Sequence, residues 1–348
     1  MWSKRDRVLA VLSGEKPDRA PIFEHLIHDG ILERFGAGRI ATGDFAAVVR
    51  ACSRCLDLCH PAATPQEPRV IEHSGGVQQV IERWTTWKAP EPLRGEAAMI
   101  KQLHAEIEAA EAWAPSAAAQ RDFCRKVEAT NRAAGDMVYI HVGAYFPILP
   151  FDIEQGVYAY MDQPELTRRW NQAMFQKLLR ENETMPPVDL GPVAICWNDI
   201  AFKGKLLYPP YILEELFYPH LRALVELLHG RGLKVLFHSD GDVTEALQRL
   251  VDCGIDAFNP LELSAGMTLE TFQEICGTRV ALAGGIDAVD VLARGTPKVV
   301  TEKTRALIDR FRGAGNLLVA SASGEVDNSM PAANVLAMYE TVWDYGKY

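Results

Sequence analysis

The sequence predicts an α/β fold: a single (β/α)8 TIM barrel over residues 1–348, with an insertion of a hairpin and a helix in its N-terminal half. Three observations predict it. Short runs that are apolar from end to end, such as Pro192 to Trp197, need burial on both faces, as in a parallel sheet covered by helices. In the second half these runs alternate with segments of helical period. Finally, 348 residues without a low-complexity stretch or a long Gly/Ser linker suit eight strand–helix units with insertions better than a doubly wound sheet with a separate domain.

Taken in chain order, Ala20 to Phe23 reads as the first strand and Cys55 to Cys59 as a second, on a segment whose Cys52, Cys55 and Cys59 read as small buried apolar residues. Residues 65–130 fit the repeat least well; within them Val77 to Trp87 reads as a hairpin and Ala98 to Ala114 as a long surface helix. Met137 to Val142 and Pro192 to Trp197 are the next strands. Tyr218 to His229 places Leu221, Leu224, Val225 and Leu228 on one helical stripe, and Gly230 and Gly232 stop it. The strand Leu233 to Phe237 follows at once and ends in His238-Ser239-Asp240-Gly241-Asp242. Asp242 with Glu245 reads as a capping box for a helix striped by Val243, Leu247, Leu250 and Val251. Gly254 to Pro260 is another strand, and Thr268 caps a helix reaching Cys276. Val280 to Gly284 comes next, then a helix from Thr296-Pro297 to Arg312. Asn316 to Ala320 is the last strand.

Composition limits the function. Asp and Glu outnumber Lys and Arg by 46 to 36, and a net charge of −10 repels phosphate backbones and anionic lipid, so no nucleic acid and no membrane is expected as partner. No run is long and apolar enough to span a bilayer, and the opening Met1-Trp2-Ser3-Lys4-Arg5-Asp6-Arg7 is charged with no apolar stretch behind it, so a cytoplasmic location is expected. Seven scattered cysteines make no disulfide framework. A small molecule or a protein is the expected partner.

In a barrel the reactive groups sit at the carboxyl ends of the strands. Strand ends supply Glu24 and His25, His141, Asn198 and Asp199, His238 and Asp240, Glu262, Asp287, and Ser321 to Glu325. Any single one of them could be a satisfied buried polar group; a ring contributed by most of the strands is harder to dismiss. His238 and Asp240 stand two apart, which puts both side chains on one face. As ligands an imidazole nitrogen and a carboxylate suit zinc or another divalent cation, with Glu262, Asp199 or Asp287 as third donor. Equally, Asp240 could orient His238 or cap the following turn. Gly284-Gly285 before Thr296-Pro297 reads as a tight barrel turn, since no Walker or GxGxxG motif accompanies it. Trp84, Trp87, Tyr145, Phe146 and Phe151 could wall a flat ligand site or serve the core.

Several stretches carry a resemblance: Arg5-Asp6-Arg7-Val8-Leu9-Ala10-Val11-Leu12 with Lys16-Pro17-Asp18-Arg19-Ala20-Pro21, Asn198 to Gly204, Leu233 to Gly241, Gly254 to Glu262, Gly284-Gly285-Ile286-Asp287, and Pro331 to Val335. In these the chain resembles the uroporphyrinogen decarboxylase superfamily, which also holds cobalamin-dependent methyltransferases. The resemblance implies a (β/α)8 barrel. The decarboxylases carry an arginine-bearing segment after the first strand; here it is Phe23-Glu24-His25-Leu26-Ile27-His28-Asp29-Gly30, without arginine. The thiol-methylating branch carries His-x-Cys-Gly and a second cysteine near the last strand; here stand His238-Ser239-Asp240-Gly241 and Ser321, Ser323 and Glu325. Hard oxygen donors thus replace thiolates.

The resemblance therefore implies a corrinoid-linked methyltransferase that moves a methyl group between a small methoxylated or methylated substrate and cobalamin carried on a partner protein. It is expected as a homodimer, as relatives often are, with zinc or another divalent metal on His238, Asp240 and Glu262. His238, Asp240, Asp199 and His141 are the expected catalytic residues, and Glu24, His25, Asn198, Tyr145 and Asp287 the expected substrate contacts. The alternatives are a cofactor-free decarboxylase and a barrel that binds a tetrapyrrole or corrinoid protein without catalysis.

Overall fold

Parallel strands and helices alternate along a mixed α/β chain, and the computed structural model describes residues 2–73, 78–88 and 95–348. One sheet has six strands: Val142–Ala144, Val193–Trp197, Lys234–His238, Ala257–Asn259, Ala281–Ile286 and Leu317–Ser321, each parallel to its neighbour. A second sheet has three: Phe23–Glu24, Leu58–Cys59 and Val138–Tyr139. The two meet on one side where Ile22 pairs with Val319 and the Val319 N–H donates to the Pro21 carbonyl. On the other side Val138–Tyr139 and Val142–Ala144 are separated only by Ile140 and His141.

The unbroken apolar character of the strands has a direct cause. Alternate residues enter two separate cores: Val193, Ile195, Leu236, Ala281 and Ala283 in one, Ala194, Cys196, Val235, Phe237 and Leu282 in the other. The first of these cores also holds Val8, Val11 and Leu12 of the helix Lys4–Leu12, which starts with a capping box between Ser3 and Asp6. Arg7 of that helix bonds Asp18 and fully buried Asp57. Asp57 also receives Arg19 and the Ile22 N–H, so two guanidiniums and a backbone amide satisfy one buried carboxylate.

Most expected elements stand within a residue or two of their predicted ends, among them the helices Tyr218–Gly230, Leu269–Cys276 and Pro297–Phe311. Three differ. Asp242 accepts from Thr244 N in a local turn and caps no helix; with its Oδ1 taken by that turn, the helix starts only at Leu247. Between residues 69 and 88 lie three antiparallel strands, Arg69–Glu72, Gln78–Ile81 and Thr86–Lys88; Val77, where the hairpin was expected to open, lies outside the described residues. The helix expected over Ala98 to Ala114 spans Glu96–Glu111 and is not purely superficial: Leu103, Ile107 and Ala110 are buried with Trp170 and Ala173. No helix among the described residues is long and apolar enough to cross a membrane.

Candidate active site

The register of the central strands aligns Trp197 with His238 and His238 with Asn259, so three polar or aromatic side chains stand in a row where the strands end. Their loops enclose a cavity of about 360 Å³ lined by His25, His60, Tyr145, Trp197, Asp199, His238, Asp240, Ser323, Gly324 and Glu325. Neither lysine nor arginine lines it among the described residues.

Asp199, His238 and Asp240 form the one group of its kind among the described residues: each offers a donor atom within 4.8 Å of the others. His238 Nε2 lies 3.8 Å from an Oδ1 of each aspartate, and the Asp240 N–H donates to Asp199 Oδ1 at 3.0 Å. Ser239 holds the turn, accepting from Ile200 N and donating to the Asp240 carbonyl. Asp240 Oδ1 is buried without a hydrogen-bond partner among the described residues. Burial pushes the Asp240 carboxyl above its usual range; His238 opposes the rise, while Asp199 and Glu262 add to it. A buried carboxylate oxygen with nothing to accept is costly unless a cation or donor meets it. The donor set fits a divalent cation: one imidazole nitrogen, two carboxylates and no competing basic side chain.

The same cavity carries a row of aromatic rings. The His25 and His60 rings are 4.5 Å apart and His60 is 5.7 Å from Trp197. Trp197 has room because Gly143 lies beneath it; a β-carbon there would come within 2.3 Å of the indole. Burial, reinforced by His238, lowers His25 to about 4, and burial with His25 lowers His60 well below its ordinary value, so both rings are neutral at pH 7. Glu325 Oε2 lies 3.7 Å from His25 Nδ1, and burial, Asp327 and Asp240 push its carboxyl up.

Of the residues expected from sequence, His25, Tyr145, Asp199, His238 and Asp240 meet in this cavity with Ser323 and Glu325 of the last strand's end, while His141, Glu262, Glu24, Asn198 and Asp287 do not line it. His141 points to a separate, more apolar cavity beside Phe123 and bonds Asn131, because it follows the Val138–Tyr139 strand on the helix-covered side. Glu262 stands apart from the group: its Oε2 accepts the Gly241 N–H and its Oε1 the Ser264 hydroxyl, and the carboxylate within reach of both His238 and Asp240 is that of Asp199. Glu24 is fully buried, accepts from Ser321 N and is pushed far upward by desolvation. Asn198 is buried and donates to the Phe146 carbonyl. Asp287 caps the turn Ala288–Ala293 and faces a different cavity. Phe146 stacks on Phe217 in the core. The Ser321 and Ser323 hydroxyls bond each other, and Ser323 Oγ donates to the Glu325 carbonyl. His60 and Trp197 were not singled out, although each stands at a strand end, where position alone could have found it.

Fold and site together describe a parallel α/β protein with an acidic, imidazole-bearing pocket where its strands end. Residues 187–345 match the uroporphyrinogen decarboxylase (URO-D) family, which places that stretch in the uroporphyrinogen decarboxylase-like superfamily that its motifs resemble. Among solved structures, a methyltransferase from Methanosarcina mazei is similar at 14% identity over 99% of both chains with a TM-score of 0.68, a likeness of fold. A chitinase from Chromobacterium violaceum is similar at 10% identity over 92% of this chain and 99% of that one, with a TM-score of 0.38. No curated protein matches the chain.

Proposed function

We propose that this chain is a methyltransferase that takes a methyl group from a small methoxylated or methylated donor and passes it to cobalamin on a partner protein. In this reading residues 1–348 form one closed (β/α)8 barrel, a closure supported by the pairing of Ile22 with Val319. The observation that carries the function is the cluster Asp199, His238 and Asp240 with its buried, unpartnered Asp240 Oδ1, sharing with a row of aromatic rings a pocket of small-molecule size. These three residues would hold a divalent cation, with Asp199 rather than Glu262 as the third donor. When bound, the cation supplies Lewis acidity toward the oxygen that leaves the methyl group.

The chain's own residues do the rest. Trp197, His60 and His25 seat the donor's apolar part and keep water from the reacting carbon. Tyr145, at the rim, orients it. Glu325, its carboxyl raised by burial, gives a proton from Oε2 to the departing oxygen. The fold's likeness to a methyltransferase is consistent with this chemistry. Decarboxylation of a polycarboxylate is disfavoured: such a substrate needs a cationic clamp, and the described lining residues offer carboxylates instead.

The test is metal analysis of protein purified without chelator, and an assay with methoxylated donors and cob(I)alamin read as the methylcobalamin spectrum. A divalent metal near one per chain and turnover are expected, with Asp240→Ala losing both. Full turnover by Asp240→Ala without metal sinks the assignment.

A further inference from the structure

We infer that Asn259 is a positioning residue for the cation site: it decides which nitrogen of His238 is offered to the pocket. The inference rests on reading Asp199, His238 and Asp240 as cation ligands. Asn259 ends the Ala257–Asn259 strand directly beside His238 and is buried. Its Nδ2 donates to the Ala283 carbonyl on the next strand at 2.6 Å. Turning the amide over would set two oxygens against each other, so Oδ1 must face His238, where it accepts from Nδ1 at 2.7 Å.

That bond leaves the proton on Nδ1 and the lone pair on Nε2, the nitrogen that lies 3.8 Å from both aspartates. Without it the neutral ring has free choice of tautomer, and a proton on Nε2 would point an N–H where a cation must sit. The amide carries no charge, so it selects tautomer and ring angle without adding negative potential to a pocket that already holds the Asp199 and Asp240 carboxylates. A chain of donors thus runs from His238 through Asn259 to the Ala283 carbonyl, across three adjacent strands.

The experiment is a Co²⁺ titration of the full chain, read from the visible bands of bound cobalt, on wild type, Asn259→Ala, Asn259→Asp and His238→Ala, with thermal melts alongside. Asn259→Ala is expected to weaken Co²⁺ binding roughly 10- to 100-fold. Asn259→Asp, which still accepts from Nδ1 but turns its second oxygen on the Ala283 carbonyl, is expected to bind Co²⁺ more tightly than Asn259→Ala while melting no higher, a separation of affinity from stability that a purely structural role would not give. If Asn259→Ala does not fold, Asn259→Ser takes its place with the same expectation, being too short to reach both partners. Wild-type Co²⁺ affinity in Asn259→Ala, with loss in His238→Ala, overturns the role of Asn259 and leaves the site standing. No Co²⁺ binding by the wild type overturns the site and this inference with it.

Discussion

At the scale of single residues, the imidazole of His238 is fixed from two sides. Asn259 holds Nδ1, and the loop after the last strand comes down on the ring edge at Gly324. A β-carbon on Gly324 would lie 2.7 Å from His238 Cε1, and its φ of +74° is left-handed. Gly324→Ala is therefore expected to cost about 1–2 kcal/mol in urea unfolding for the backbone alone. It should also weaken cation binding by pushing the ring off Nε2 alignment; a variant as stable and as tight as wild type would show the loop to be free of the ring. The pair His238 and Asp240 was legible in sequence because two residues along a strand return to one face. Glu262 stands at an equally good strand end, yet sequence position says only which rim a side chain reaches. Its hydrogen bonds to Gly241 and Ser264 depend on how two neighbouring loops fold against each other.

At the scale of elements, the pocket wall depends on how closely two neighbouring strands let their side chains approach. Gly143 pairs with Ile195 in the strand Val193–Trp197, and the Trp197 indole folds back over it. Gly143→Ala puts a methyl 2.3 Å from Trp197 Cη2, so either the indole or the strand must shift. Overpacking of this kind costs about 1–3 kcal/mol. The expected outcome is a lower urea midpoint together with, for the proposed methyl donor, a raised KM and a smaller change in kcat, because the wall rather than the reacting groups has moved. An unchanged KM in a folded variant would remove Trp197 from the substrate wall. Parallel strands were easy to read, since two cores on opposite faces leave a run of apolar residues. The helix Glu96–Glu111 was harder. Its buried Leu103 and Ile107 meet Trp170, 63 residues and more further along the chain, and nothing local announces that partner.

At the scale of the whole molecule, buried histidines outside the pocket tie stability to pH. His220 stacks on Phe175 at 4.1 Å and its Nε2 donates to Asn171 Oδ1 at 2.7 Å. The Nδ2 of Asn171 is already given to the carbonyls of Pro147, Ile148 and Leu216, so Asn171 clasps the Pro147–Ile148 loop to the end of the helix Pro210–Leu216, and His220 completes the clasp. Burial lowers His220 to about 4, and burial likewise lowers His141 to about 4 against an opposing pull from Asp189. Each is neutral when folded, whereas in the unfolded chain each takes up a proton near its ordinary value of 6.5. Between these limits the unfolded state binds more protons, so stability rises with pH. The contribution is whole above pH 6.5, shrinks as pH falls below it and is gone near 4. The slope per histidine cannot exceed about 1.4 kcal/mol per pH unit. Urea unfolding at pH 7, 6 and 5 should therefore show falling stability. His220→Phe, whatever it does to stability at pH 7, should flatten that fall, because the slope counts protons and not contacts. An identical slope in His220→Phe would mean that His220 is charged in the folded protein or absent from its acid sensitivity.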